Sequence, residues 1–138
     1  MISRRARQRA WWSSASAYMV LIFWLSSRTH HISMHLFPHW DKVVHFMEYG
    51  VLAVLFFGAL GSSFPGWSRL RVVCASIAMA TLYGLSDEIH QSFVPGREAS
   101  GMDLLADFTG ASLSVIGFAG RGKLTPRQQD IPLSSDKG

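Results

Sequence analysis

The chain is short of charge. Asp, Glu, Lys and Arg make up 16% of its 138 residues, against roughly 25% in soluble domains. A soluble helical bundle needs polar outer faces every third or fourth residue. Runs such as Val51-Leu52-Ala53-Val54-Leu55-Phe56-Phe57 and Val72-Val73-Cys74-Ala75-Ser76-Ile77-Ala78-Met79-Ala80 offer none. The single cysteine, Cys74, excludes an internal disulfide and reads as an inert buried thiol. There is no glycine-rich phosphate loop, no Gly-x-Ser-x-Gly elbow and no Cys-x-x-Cys pair, so the commonest nucleotide, hydrolase and thiol-redox signatures are missing. No internal repeat is visible. No Ala-x-Ala site follows the first apolar run, which exits through Leu25-Ser26-Ser27-Arg28, so it reads as an uncleaved first helix.

What the chain does have is length without charge. Ala10 to Ser27 contains no Lys, Arg, Asp, Glu or His, and further spans are expected at about Val43–Ser62, Leu70–Asp87 and Leu104–Gly120. Each approaches the ~20 residues needed to cross a hydrocarbon core of about 30 Å. The expected fold is all-α: an integral membrane bundle of four antiparallel helices. Residues 1–9 form a basic N-terminus, 10–122 the membrane domain, and 123–138 a polar, disordered tail.

The net charge of +4 lies in the flanks, which removes the reason to expect nucleic-acid binding. Arg4, Arg5, Arg7 and Arg9 precede the first span, Arg69 and Arg71 separate the second and third, and Arg121, Lys123, Arg127 and Lys137 follow the fourth. Only Arg28, Lys42 and Arg97 fall on the other side. Because Lys and Arg in short loops stay inside, both termini are expected in the cytoplasm of a bacterial inner-membrane protein.

Seven of the nine carboxylates crowd around two segments on the opposite, extracytoplasmic side. One is Asp41-Lys42-x-x-His45-x-x-Glu48-Tyr49. The other is Asp87-Glu88-x-x-Gln91-x-Phe93-x-Pro95-Gly96-Arg97, running on through Glu98 to Asp103-x-x-x-Asp107. Ionisable groups cost about 2.5–3.5 kcal/mol each at mid-membrane on insertion scales, so their presence points to function. At 100° per residue, Asp41, Lys42, His45, Glu48 and Tyr49 share an arc of about 120°. Tyr83, Asp87, His90 and Gln91 share one if the third helix reaches Gln91. Asp103, Asp107, Gly110 and Ser114 form a narrow stripe that Gly117 extends, and small residues at that spacing admit close helix approach in lipid. Three helices are thus expected to deliver polar side chains to one pocket. Pro95-Gly96 marks a turn, and Arg97 beyond it has a planar fork suited to carboxylate or phosphate. The loop carrying it can fold back over the pocket.

Each feature also has a plainer reading. Asp41 and Lys42 suit an interfacial helix start. Glu48 and Asp107 can belong to a network that only holds helices together, although such bonds average about 0.6 kcal/mol, less than burying a carboxylate costs. Tyr49 and Tyr83 can be packing or interfacial residues, and Arg97 a structural clamp. The methionines and phenylalanines read as lipid-facing filler. His30, His31, His35 and His39 invite zinc, but Pro38 and the lack of helical pattern weaken that. A divalent cation among the carboxylates is an alternative. No metal ligands and no cofactor are assigned.

The segments Asp41-Lys42-x-x-His45-Phe46-x-x-Tyr49, Asp87-Glu88-x-x-Gln91-x-Phe93-x-Pro95-Gly96-Arg97 and Asp103-x-x-x-Asp107-x-x-Gly110 resemble, in order and spacing, those of the VanZ-like family of small bacterial membrane proteins. The family often carries Asn where this chain has Asp107, which keeps a hydrogen-bonding role but not one that needs a neutral amide. The resemblance implies a four-span membrane protein of the cell envelope. The family takes its name from a member linked to reduced susceptibility to teicoplanin, a glycopeptide that binds cell-wall precursors.

The expected function is binding, or acting on, an envelope lipid or wall-precursor head group. The expected partners are the bilayer and a lipid-linked or anionic envelope ligand. Binding candidates are Asp41, Lys42, His45, Glu48, Tyr49, Asp87, Glu88, Gln91, Arg97, Asp103 and Asp107. The alternatives are an intramembrane hydrolase or transferase, with Glu48, Asp87 or His45 in catalysis, and a small proton-coupled transporter.

Overall fold

The computed structural model describes residues 3–28, 39–97 and 99–121. The loop histidines His30, His31 and His35, Glu98 and the tail from residue 122 lie outside them. Among the described residues there are four helices and no strand: α1 (Arg4–Ser26), α2 (Trp40–Ser63), α3 (Arg69–Gln91) and α4 (Gly101–Arg121).

Local chemistry sets the helix ends. The Ser3 hydroxyl accepts from the Ala6 amide at the start of α1, and Ser68 does the same for Arg71 at the start of α3. Phe64-Pro65-Gly66 ends α2. Beyond α3, the Arg97 amide donates to the Val94 carbonyl across Pro95-Gly96, with Gly96 at φ 81°. A proline followed by a residue at positive φ is the signature of a type II turn. Asp103 stands in the first turn of α4, where a carboxylate meets the positive end of the helix dipole.

Cross-helix bonds fix the directions. The Arg4 guanidinium donates to the Ser62 carbonyl at 3.3 Å, and the Trp12 indole donates to Ser63 Oγ at 3.0 Å, so the start of α1 lies beside the end of α2. Ser27 Oγ and His90 Nε2 stand 3.0 Å apart, joining the ends of α1 and α3. The helices therefore run alternately up and down. The α2–α4 interface is the most extensive, α3 packs on both, and α1 leans mainly on α2.

α2, α3 and α4 are each long and apolar enough to cross a membrane. α1 is not among them, so three of the four expected spans meet that measure of length and apolarity. Its helix begins at Arg4 rather than Ala10 and carries Ser13, Ser14 and Ser16 through its middle, diluting the apolar stretch.

The core is built from Ala15, Ile22, Tyr49, Leu52, Ala53, Phe56, Ala80, Ala111 and Val115. Large apolar side chains such as Leu70, Leu82, Ile89, Leu113 and Ile116 face outward, as suits a hydrocarbon solvent. Two sequence expectations are corrected here. Cys74 is exposed, not buried, because helical spacing places it on the outer stripe of α3 with Leu70, Ala78 and Leu82. Phe56 is core rather than lipid-facing filler.

The closest backbone approach is between α2 and α4. A Cβ added to Gly110 would run into the Phe46 carbonyl oxygen, and one on Gly50 would lie 2.5 Å from Ser114 Oγ. The stripe ends there. Gly117 is exposed, with only Arg121 nearby, although α4 still meets α2 one residue on, where the Phe57 and Phe118 rings stand 6.0 Å apart.

Candidate functional site

The beginning of α2, the end of α3 and the beginning of α4 meet at one end of the bundle, and the ionisable residues converge there. α2 presents Lys42, His45 and Tyr49 at spacings of three and four, so they stack on one face. α3 contributes Asp87, Glu88 and Gln91 from its last two turns, and α4 contributes Asp103 and Asp107 one turn apart. His45, Tyr49, Asp87, Glu88, Gln91, Asp103 and Asp107 are all buried, and Asp107 has no exposed surface.

His45 Nδ1 lies 3.0 Å from Asp107 Oδ1 and 3.9 Å from Glu88 Oε1. Tyr49 stacks on the imidazole, with 12° between the ring planes. Lys42 Nζ bridges Asp41 at 2.8 Å and Asp103 at 2.5 Å, tying α2 to α4 at the rim. Gln91 Nε2 donates to Asp87 Oδ2 at 2.7 Å within α3. At the start of α4, the Ser100 amide donates to Glu88 Oε2 at 2.6 Å, tying that helix end to α3. Glu48 is half-buried, within electrostatic reach of His45, Asp87, Asp107 and Arg97.

The structure thus gathers Lys42, His45, Tyr49, Asp87, Glu88, Gln91, Asp103 and Asp107, with Asp41 exposed at the rim and Glu48 at the edge. Arg97 stands half-buried in the loop just beyond. Sequence reasoning missed Gly84. A Cβ there would lie 2.5 Å from Asp107 Oδ2 and 3.2 Å from Tyr49 Cε1, so this glycine lets α3 close on the cluster. Its place one turn before Asp87 and Glu88 is the only sequence signal.

Most side chains of the cluster are buried against one another. Two surface clefts, of about 480 Å³ beside Arg5, Gln8, Arg9, Trp12 and Ser13 and about 360 Å³ beside Ser16, Met19, Val20, Phe23 and Tyr83, lie along α1. Within the cluster, Glu88 Oε1, Asp107 Oδ2 and the Tyr49 hydroxyl have no hydrogen-bond partner. An unsatisfied buried polar group costs about 1–3 kcal/mol. Carboxylates outnumber cationic groups here, so the spare capacity is for donors or for positive charge. An imidazole oriented by a carboxylate is also the geometry of a proton-transferring pair. One residue from each of α2, α3 and α4, namely His45, Glu88 and Asp107, places a ligating atom within 4.8 Å of the others.

A family model described as VanZ/LLP1 matches residues 3–120, which take in the whole cluster and all of the four helices except the last residue of α4. The chain belongs to the VanZ/LLP1 family. No curated protein and no solved structure matches it. Family membership and three helices of spanning length and apolarity make this VanZ/LLP1 chain a membrane protein.

Proposed function

We propose that this VanZ/LLP1 protein is a multi-pass protein of the bacterial cytoplasmic membrane, with both termini inside. Its acid-rich cluster then binds the polar head group of an envelope lipid or lipid-linked wall precursor at the extracytoplasmic face. The observation that carries this reading is the burial of His45, Glu88, Asp103 and Asp107, drawn from three helices to one end of the bundle. A structural staple would not warrant so many ionisable groups, since interhelical polar bonds in membranes average about 0.6 kcal/mol. The Lys and Arg distribution supports the orientation. The excess of acceptors suits hydroxyls and amines, and Arg97 at the rim suits the phosphate or carboxylate of the same ligand. Altered handling of a wall precursor would then be the route to any change in glycopeptide susceptibility.

A second reading, a hydrolase or transferase acting on such a lipid, is favoured by the 3.0 Å His45–Asp107 pair. Asp87 or Glu48 would be the base and Arg97 the anion clamp. Proton-coupled transport has less support, because below Glu48 and Asp107 the helices become small and apolar and offer no relay.

Mass spectrometry of lipids retained by the purified protein tests binding. A discrete head-group class should be enriched over bulk phospholipid and lost in Arg97→Ala and Asp103→Asn. Recovery of bulk phospholipid alone from the wild type would overturn it.

A further inference from the structure

We propose that His45, Glu88 and Asp107 form a binding site for a divalent first-row transition-metal ion of zinc or manganese character. The first argument is convergence. One imidazole nitrogen and two carboxylates, each from a different helix, are buried with ligating atoms within 4.8 Å of one another. At a tetrahedral ion, metal–ligand bonds of about 2.0–2.2 Å put adjacent ligand atoms about 3.3–3.6 Å apart. The His45 Nδ1 separations of 3.0 Å to Asp107 and 3.9 Å to Glu88 bracket that spacing, so small side-chain movements suffice.

Glu88 is 5% exposed and Asp107 0%, yet Glu88 Oε1 and Asp107 Oδ2 have no hydrogen-bond partner. Glu88 Oε1 is the oxygen that faces His45, so a vacant acceptor points into the triad. The other oxygen of Glu88, Oε2, is held by the Ser100 amide, which leaves Oε1 as its free one. A dication offsets the charge of two buried carboxylates, which lipid-embedded protein otherwise tolerates poorly.

The donor set narrows the ion. A mixed nitrogen and oxygen site suits zinc, manganese or ferrous iron better than magnesium or calcium, which prefer oxygen alone. Three protein ligands leave at least one coordination position for a water or substrate oxygen, the pattern of catalytic rather than structural sites. Two further contacts hold the ligands in place: the Ser100 amide on Glu88 and the Tyr49 ring against His45. The site stands whether or not the head-group reading holds, because an ion can be measured with no lipid added.

The test uses the full chain in detergent with any affinity tag removed. After chelation, reloading with Zn²⁺ or Mn²⁺ and gel filtration, elemental analysis should find about one ion per chain. Glu88→Gln and Asp107→Asn, which keep size and remove charge, should each weaken binding at least about tenfold, while Cys74→Ser retains the wild-type content. Should either amide variant lose its helical circular dichroism, Co²⁺-loaded wild type decides the matter. A d–d spectrum of low-symmetry nitrogen and oxygen ligation without a thiolate band supports the site, whereas the spectrum of the aqueous ion overturns it. A folded wild type that holds neither Zn²⁺ nor Mn²⁺, or amide variants that bind as tightly as wild type, would also overturn it.

Discussion

Gly110→Ala is the substitution for which the geometry gives the clearest magnitude. The added Cβ would meet the Phe46 carbonyl oxygen and lie 2.8 Å from its carbon and 2.9 Å from its Cα. Non-bonded carbons prefer about 3.5–4.0 Å, so α2 and α4 must part by nearly 1 Å along this seam. Backbone is on the receiving side, and no rotamer change can absorb the clash. Opening a packed surface by 0.5–1 Å forfeits about a quarter to a half of its dispersion energy, and overpacking typically costs about 1–3 kcal/mol. Replacing a helical glycine returns at most about 1 kcal/mol. The net expectation is a loss of about 2 kcal/mol, with the His45–Asp107 and Lys42–Asp103 contacts stretched across the same interface. Gly117→Ala is the matched control, because its Cβ would meet only Arg121 Nη1 at 3.8 Å. It should be neutral or stabilising by up to about 1 kcal/mol. Reversible unfolding in mixed micelles, followed by the fluorescence of the five tryptophans, measures both. Equal stability of Gly110→Ala and Gly117→Ala would refute the close-approach argument.

Two further predictions concern the rim and the orientation. Lys42→Ala leaves Asp103 buried without its cation and should cost about 1–3 kcal/mol. Adding Asp103→Asn should recover much of that loss, and additive losses in a double-mutant cycle would show the pair to be uncoupled. In a Cys74→Ser background, Ala99→Cys should react with a membrane-impermeant maleimide in intact cells, and Gly66→Cys only after permeabilisation. The reverse pattern would invert the proposed topology.

The faces of the helices were readable before the fold was known, because 3.6-residue periodicity is a property of each helix alone. Asp41, Lys42, His45 and Tyr49 on α2, and Asp103, Asp107, Gly110 and Ser114 on α4, lie as their spacing predicts. The turn at Pro95-Gly96 does too, since proline and glycine restrict the backbone locally. Partnership was not readable. That Lys42 bridges to Asp103, or that His45 chooses Asp107 over Asp87, depends on how far each helix rotates about its own axis, which packing elsewhere decides. Gly84 illustrates this: its role exists only because Asp107 and Tyr49 come from other helices. The exposure of Cys74 and the early start of α1 were missed for related reasons. Apolar composition does not say which side of a helix faces lipid, and arginines that repel a membrane still propagate a helix well.

The three residues of the buried triad sit on successive helices and so leave the ribosome in order, histidine first and the aspartate of α4 last. Until that last helix docks, His45 and Glu88 lack the aspartate that completes their cluster, and an unsatisfied buried polar group costs about 1–3 kcal/mol. Completion of the triad and completion of the fold are therefore a single event. A chain truncated before α4 would advertise its unfinished state chemically, as stranded ionisable groups that membrane quality control can recognise.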